Sequence, residues 1–232
     1  PENPDEYLYW NGHALTFDKD SQSLLMMLLS GHVERLDIET GKRISVGHPS
    51  ISYRSVCATS DGQLVALRDA EDKIHVLEYA TLKPVSVWEL GGESETPVLS
   101  FDAAGNLLAV GDSKRKKFEV WDVDTKKAIW ETEANGYRIA MAVSSSGKLI
   151  AYTPGERGFT VRRIGQEAPL VEFENGNPPE AFAFSPDDST LVTLTGSTFE
   201  FWNLVEKKVT RKQNIGFARG AFFTPDGKTV AL

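Results

Sequence analysis

The residue types that most often perform chemistry in proteins are few in this chain and far apart. Its four histidines, His13, His32, His48 and His75, fall in separate segments, and no HExxH or GxSxG motif occurs. The one cysteine, Cys57, lies in the apolar stretch SVCAT, where a small buried hydrophobic residue is the better interpretation than a reactive thiol. We therefore expect no catalytic residues, no metal site and no cofactor, and predict that the chain is not an enzyme.

Composition and charge narrow the class of protein further. The chain has 232 residues, 41% of them hydrophobic, with 25 basic and 33 acidic residues that leave a net charge of -8. This acidic balance argues against nucleic acid as a partner, because phosphate binding needs a basic face. The longest apolar run, LLMMLL at 24–29, is far shorter than the roughly 20 residues of a membrane span. We expect an acidic, soluble protein with no membrane contact, and nothing in the sequence assigns a compartment.

A turn sequence recurs along the whole chain. The copies read FDKDSQSLL, ATSDGQLVAL, FDAAGNLLAV, VSSSGKLIAY, FSPDDSTLVTL and FTPDGKTVAL, and they start at residues 17, 58, 101, 143, 184 and 223. Their period of about 41 residues falls in the range that marks repeat architectures.

Each repeat reads as four short strands joined by turns. An apolar strand such as AFAF at 181–184 precedes the Asp, Gly and Ser turn, and a second apolar strand such as LVTL follows it. After a short turn such as Thr195-Gly196-Ser197 comes an alternating third strand, clearest in KFEVWD and TFEFWN, then a weaker fourth strand. A sandwich has no reason to repeat in this way, so the pattern predicts an all-β fold, a β-propeller of four-stranded antiparallel blades.

We predict five full blades and half of a sixth within a single domain over residues 1–232. The predicted units are approximately 12–47, 53–91, 96–134, 138–175 and 180–216, with an incomplete unit at 219–232. YLYW at 7–10, within residues 1–11, is a candidate closing strand for the last blade. One strand does not complete a half blade, so we expect the sequence to be a piece of a longer chain; a six-bladed ring with a truncated blade is the alternative.

Several short motifs of the chain resemble the WD-repeat (WD40) propeller family. Thr224-Pro225-Asp226-Gly227 matches the family's turn after the first strand, Trp121-Asp122 its tryptophan and aspartate pair, and Gly47-His48 its glycine and histidine pair. Trp202-Asn203 is a variant of the second motif. The resemblance implies structural roles for His48, Trp121, Asp122, Trp202, Asp226 and Gly227. In the family a His, a Ser or Thr, an Asp and the Trp form a buried hydrogen-bonded set, and no repeat of this chain keeps all four.

The segments just before the first strands supply the best candidates for binding. In a propeller these segments and the turns between second and third strands lie on one face, around the mouth of the central channel. Three of the segments combine an aromatic residue with an arginine, which are residue types that often carry interface energy. The predicted partner-binding residues are Tyr53, Arg54, Tyr137, Arg138, Glu180, Phe217, Arg219 and His13. Packing of the aromatics between blades, with solvated arginines, is the alternative.

Three hypotheses for function follow. The first is a non-catalytic scaffold that binds a protein or peptide at this face, as the resemblance also implies for the family. The second is a propeller enzyme, lactonase-like or quinoprotein-like, or an accessory propeller of a catalytic domain outside this segment. The third is a rigid spacer in an assembly. The one basic run, Lys114-Arg115-Lys116-Lys117, fits a solvated hairpin tip better than an anchor for an acidic partner.

Overall fold

The computed structural model describes ten stretches of the chain. These are residues 15–17, 22–27, 32–46, 53–91, 98–136, 138–174, 176–214, 216, 220–223 and 227–231. The chain divides into two compact units, Pro1–Glu93 and Ser94–Leu232, and each is described by itself. The described residues form strands and turns and no helix, so none of them belongs to a helix that could cross a membrane.

The first unit holds two four-stranded antiparallel sheets in which each strand pairs with the next along the chain. The first sheet, blade 1, consists of β1 (Leu15–Phe17), β2 (Ser23–Met27), β3 (Val33–Asp37) and β4 (Arg43–Val46). Blade 2 consists of β5 (Tyr53–Ala58), β6 (Leu64–Asp69), β7 (Lys73–Glu78) and β8 (Pro84–Glu89). Strands β1 and β2 contact β5, and one buried apolar cluster contains side chains of both sheets.

The second unit repeats the same sheet three times. Blade 3 comprises β9 (Val98–Phe101), β10 (Leu107–Asp112), β11 (Lys117–Asp122) and β12 (Lys127–Glu133). Blade 4 comprises β13 (Met141–Val143), β14 (Leu149–Tyr152), β15 (Phe159–Arg163) and β16 (Pro169–Phe173). Blade 5 comprises β17 (Ala181–Phe184), β18 (Thr190–Thr195), β19 (Thr198–Asn203) and β20 (Lys208–Asn214). Strand β13 contacts both β9 and β17, so the first strands of successive blades lie side by side.

The five antiparallel four-stranded blades confirm the prediction of an all-β propeller. After blade 5, β21 (Phe222–Phe223) and β22 (Val230–Ala231) pair as a two-stranded sheet, and β21 contacts β17. These two strands do not make a blade, so the half of a sixth blade stays a prediction, as do the single domain and its unit boundaries. The candidate closing strand at 7–10 lies outside the described residues.

The turn between the first and second strands of a blade depends on one residue with a left-handed backbone. Gly62, Gly105 and Gly147 supply a positive φ of 64°, 73° and 69° in blades 2, 3 and 4. Glycine adopts this conformation without the steric cost of a Cβ. Blade 5 has Asp188 there with φ 59°, and its carboxylate accepts hydrogen bonds from the hydroxyls of Ser144 and Ser146 in the turn of blade 4. The turns of adjacent blades are therefore bonded to each other.

The core of the second unit lies between the sheets. One cluster joins blades 4 and 5 and includes Phe159, Phe182 and Trp202, which are all buried. A second cluster joins blades 3 and 4 around Phe118, Tyr152 and the partly buried Trp130. A buried side chain of this size contributes about 1.5–3 kcal/mol through the apolar area that it removes from water. Each blade of this unit is thus stabilised mainly by its neighbour.

A β-bulge recurs in the fourth strand of four blades. In blade 3, Val120 pairs with Trp130 and Trp121 pairs with Ala128, which leaves Ile129 as an extra residue. The same irregularity sets apart Val85 in blade 2, Leu170 in blade 4 and Thr210 in blade 5, whereas the register between β3 and β4 of blade 1 is regular from Val33 to Leu36. The extra residue bends the strand. It also shifts the alternation of side chains, so that its own side chain points to a different face of the sheet than in a regular strand.

Candidate functional site

Arg138 and Glu180, two of the predicted binding residues, lie on one side of the blades of the second unit, which we call the loop face. It is formed by the turns between second and third strands and by the connections from one blade to the next. Arg138 lies in the connection from β12 to β13, and Glu180 in the connection from β16 to β17. The antiparallel order of the strands brings both connections to this face.

Arg138 and Glu180 form an ion pair that links these two connections. The Nη1 atom of Arg138 lies 2.6 Å from Oε1 of Glu180, and the two side chains are 42% and 37% exposed. Each residue is also anchored through its backbone. The hydroxyl of Thr153 donates a hydrogen bond of 2.9 Å to the carbonyl of Arg138, and the N–H of Glu180 donates one of 2.7 Å to the carbonyl of Leu194. The pair is therefore exposed but held in position.

A groove of about 420 Å³ opens between blades 4 and 5 on the same face. It is lined by Phe159, Phe173, Gly176, Asn177, Pro179, Thr193, Thr195, Thr198, Glu200 and Lys212. Pro179 directly precedes Glu180, so the groove begins next to the ion pair. A concave site with an apolar floor and a few convergent polar groups is the usual form of a ligand site in a protein.

The floor and the rim of the groove differ in chemistry. The floor is aromatic, since the ring of Phe159 lies 5.9 Å from that of Phe173 and 5.1 Å from that of Trp202. The hydroxyls of the partly exposed Thr195 and Thr198 and the amide of the exposed Asn177 supply neutral hydrogen-bonding groups along the rim. The two charged residues, Glu200 and Lys212, pair with each other across β19 and β20 at 2.8 Å. The groove therefore offers a concave surface and hydrogen-bonding groups, and it carries little net charge.

In the first unit, a β-bulge in β5 places the neighbouring residues Tyr53 and Arg54 in different environments. Tyr53 pairs with Asp69 and Ser55 with Arg68, which leaves Arg54 as the extra residue of β5, and its side chain is exposed. Tyr53 is only 3% exposed, and its ring meets that of His75 edge-on at 5.8 Å. His75 in turn bonds Oδ2 of Asp69 through Nε2 at 2.7 Å. Tyr53 thus belongs to the core, and Arg54 is the member of the pair that a partner can reach.

Several residues assigned structural roles from the sequence lie at turns and between blades. Trp202 is 5% exposed, and its ring meets Phe159 and Phe173 edge-on. Asp122 accepts hydrogen bonds from the hydroxyl and the backbone N–H of Thr125, and these bonds lower the pKa of its carboxyl. Gly227 has φ 69°, and a Cβ there would lie 3.2 Å from Cδ of Pro186.

Other predicted residues have different outcomes. The side chain of Trp121 is half-buried. His13, His48, Tyr137, Phe217, Arg219 and Asp226 lie outside the described residues. In the basic run, Arg115 is mostly buried and lies 2.7 Å from Glu119, while Lys117 lies 3.0 Å from Glu131. The run lies at the turn between β10 and β11, as predicted, but Arg115 is not solvated as that prediction expected, because it is paired within blade 3.

Sequence reasoning missed the groove itself. Its threonines flank the turn Thr195-Gly196-Ser197, which was identified only as a turn, and Asn177 and Pro179 lie in a connection that gave no signal. The available signal was the excess of small hydroxyl residues at the end of β18, where the other blades have Asp69, Asp112 and Tyr152. Within the described parts of the chain, no three His, Cys, Asp or Glu side chains are grouped as metal ligands.

Comparison with known proteins identifies the fold of the chain but not its function. No protein-family model and no curated protein sequence matches the chain. A chain in the crystal structure of a mitotic checkpoint complex is similar in structure, with a TM-score of 0.77 and 15% sequence identity over 94% of this chain and 70% of that chain. The fold is common, since 1738 chains of solved structures match it. At this identity the likeness shows the propeller fold alone, and a fold of this kind hosts many functions.

Proposed function

We propose that this protein is a divergent WD-repeat propeller that binds a protein or peptide at its loop face and catalyses no reaction. The observation that carries the proposal is the groove between blades 4 and 5, next to the pair formed by Arg138 and Glu180. The likeness to a chain of a checkpoint complex supports a protein as the partner, since that chain is itself part of a protein assembly.

The chemistry of the groove suits an extended peptide. The hydroxyls of Thr195 and Thr198 and the amide of Asn177 can donate to and accept from a peptide backbone, and the partly exposed ring of Phe173 can contact one apolar side chain. Because Glu200 and Lys212 form an ion pair with each other, the groove favours neither an acidic nor a basic peptide. Arg138 and Glu180 at the groove end, and Arg54 in the first unit, are the proposed charged contacts, with His13, Tyr137, Phe217 and Arg219 as further candidates.

A peptide library displayed on phage tests the proposal. Peptides selected on the unmodified protein are compared on Thr198→Trp, which fills the groove with a residue that favours strands. We expect this variant to weaken the selected peptides by about tenfold or more. Arg138→Ala should weaken them by a smaller factor, because its ion pair is exposed.

The matched control is Thr210→Trp, which makes the same change at an exposed position of blade 5 away from the groove. This control should leave binding unchanged. If every selected peptide binds Thr198→Trp as well as it binds the unmodified protein, the groove is not the site and the proposal is wrong.

A further inference from the structure

A second opening of the second unit lies on the side opposite to the loop face. This cleft, between blades 3 and 4, has a volume of about 380 Å³ and is lined by Leu107, Ile129, Gly147, Lys148, Arg163, Ile164 and Gln166. Its walls are the turn between β13 and β14 and the turn between β15 and β16. We call it the basic cleft, for reasons that follow from Lys148 and Arg163.

The floor of the basic cleft is aliphatic because of the bulge in β12. Ile129 is the extra residue of that strand, and it lines the cleft together with Leu107 and Ile164. Ile129 remains 48% exposed, which is unusual for an isoleucine in a strand. The corresponding place between blades 4 and 5 is filled, since Leu204, which occupies the position of Ile164, is only 3% exposed.

Arg163 breaks the pattern of the repeat. It is the last residue of the third strand, a position where Asp37, Asp122 and Asn203 each accept a backbone N–H of the following turn. Those three bonds measure 2.7, 2.7 and 2.9 Å. An arginine side chain cannot accept a hydrogen bond. In blade 4 the backbone carbonyl of Arg163 accepts the N–H of Gln166 instead, and the exposed Arg163 is one of the residues that line the cleft.

Lys148 lies next to Arg163. Its carbonyl accepts the N–H of Ile164 at 2.9 Å, and Arg163 pairs with Leu149 in the sheet. Over the described stretches, neither Lys148 nor Arg163 forms an ion pair, although carboxylates hold Arg115, Lys117, Arg138 and Lys212. Two cations that pair with none of the described carboxylates, beside an apolar floor, are notable in a protein of net charge -8.

We propose that the basic cleft binds an acidic peptide segment of a protein partner, with an Asp or Glu carboxylate between Lys148 and Arg163 and a neighbouring aliphatic side chain on Ile129 and Leu107. The planar guanidinium can hold the carboxylate through two hydrogen bonds, and the ammonium adds a second charge. The aliphatic floor supplies the apolar contact that an exposed isoleucine otherwise lacks. The site is separate from the groove on the loop face and does not depend on it.

An array of synthetic peptides tests this inference with the full chain. Each peptide carries an aliphatic residue before a central glutamate, and each is also made with glutamine or with phosphoserine in place of the glutamate. We expect the glutamate peptides to bind at least about tenfold more tightly than the glutamine peptides, because only the carboxylate pairs with the two cations. Lys148→Glu with Arg163→Glu should lower the affinity by about tenfold or more.

Three further variants separate binding from folding and from the groove. Arg157→Glu makes the same kind of charge reversal on an exposed residue at the other end of blade 4 and should leave binding unchanged. Arg163→Asn restores the turn acceptor that blade 5 has, so it should weaken binding while the midpoint of thermal unfolding stays equal or rises. Thr198→Trp should leave binding to the array unchanged, whatever its effect at the groove.

Four results would overturn the inference. They are equal binding of the glutamine and glutamate peptides, binding of the phosphoserine peptides alone, no binding at about 1 mM protein, and equal binding by the doubly reversed variant. The second result would identify a phosphopeptide as the occupant in place of a carboxylate.

Discussion

The groove and the basic cleft are two openings of similar volume between neighbouring blades, and their chemistry is opposite. The groove has a floor of core aromatic residues, and its charges pair with each other. The basic cleft has a floor of exposed and half-buried aliphatic residues, and its two cations are paired with no carboxylate of the described stretches. The basic cleft lies where the repeat departs from regularity, in the turn after β15.

This difference shows how a repeat fold can present separate surfaces. The blades have the same strand order, so neither opening can be attributed to a change of architecture. In the groove, a rim residue can change without disturbing the sheet, whereas the floor is shared with the core. In the basic cleft, the side chain of Arg163 takes no part in forming the turn after β15, so it is available to a partner. Four changes test this distinction, from the largest expected effect to the smallest.

Phe159→Ala should cost about 3–5 kcal/mol of unfolding free energy, because the ring is 2% exposed and contacts Phe173, Phe182 and Trp202. Ile129→Ala, the matched change on the floor of the basic cleft, should cost about 0.5 kcal/mol or less, because the side chain is 48% exposed. Denaturant unfolding of the two variants gives both values. Equal costs would show that the two floors do not differ in the way described.

Salt should distinguish the two openings through binding. Raising NaCl from about 50 mM to about 500 mM should weaken an acidic peptide at the basic cleft by about tenfold, because its charges face solvent and are screened. Peptides selected for the groove should change by about twofold or less, since Glu200 and Lys212 already pair with each other. Fluorescence anisotropy titrations at the two salt concentrations measure both. A salt-insensitive acidic peptide would contradict binding between Lys148 and Arg163.

The pair at the end of the groove should be weak in itself. A double-mutant cycle with Arg138→Ala and Glu180→Ala should give a coupling energy of about 0.2–1 kcal/mol, because both side chains are more than a third exposed. Denaturant unfolding of the two single variants and the double variant measures it. A coupling above about 2 kcal/mol would mean that the pair is a structural bond between blades and not a surface for a partner.

The smallest effect concerns a carboxyl group behind the basic cleft. Burial raises the pKa of Asp102 above 3.8, and its Oδ2 lies 3.1 Å from where a Cβ on Gly147 would be. The folded state therefore favours the protonated acid: the stability that it contributes is full below pH 3.8 and is lost as the pH rises through the raised pKa. Asp102→Asn should remove this loss, as unfolding between about pH 3 and about pH 6 would show.

Asp187 provides a control of opposite sign. Hydrogen bonds from Ser185 and Ser189 lower the pKa of its carboxyl. Its contribution is therefore present above pH 3.8 and is lost as the pH falls through the lowered value, and Asp187→Asn should remove a loss on the acidic side. If the two variants change the pH dependence in the same direction, the explanation from burial and hydrogen bonding is wrong.

The sequence was sufficient to predict the all-β fold and its five four-stranded antiparallel blades. The copies of the turn and the alternation in TFEFWN and KFEVWD place β11 and β19 at 117–122 and 198–203, which are their observed bounds. These features are local, because the turn chemistry and the side-chain period of a strand are written in consecutive residues.

The sites were predicted less completely because their parts come from different blades. Glu180 could be placed at a loop, but its bond to Arg138, 42 residues away in sequence, required the structure. The bulges at Arg54 and Ile129 were also missed, since one extra residue in a short strand leaves no mark on a hydrophobic pattern. The sequence has Arg163 at the position of the aspartate in the Trp-Asp motif. The consequence of this change required the hydrogen bonds that the structure shows for Asp122 and Asn203.

The bulge in the fourth strands has a further consequence, for the behaviour of the protein in concentrated solution. A fourth strand is an edge of its sheet, and a flat edge is a template on which another chain can add a strand and begin a fibre. Val85 and Ile129, exposed and strand-favouring, would make such an edge more adhesive. Because both are the extra residue of a bulge, the row of N–H and C=O groups is interrupted at the same place. The irregularity that shapes the basic cleft therefore also protects the edge from aggregation.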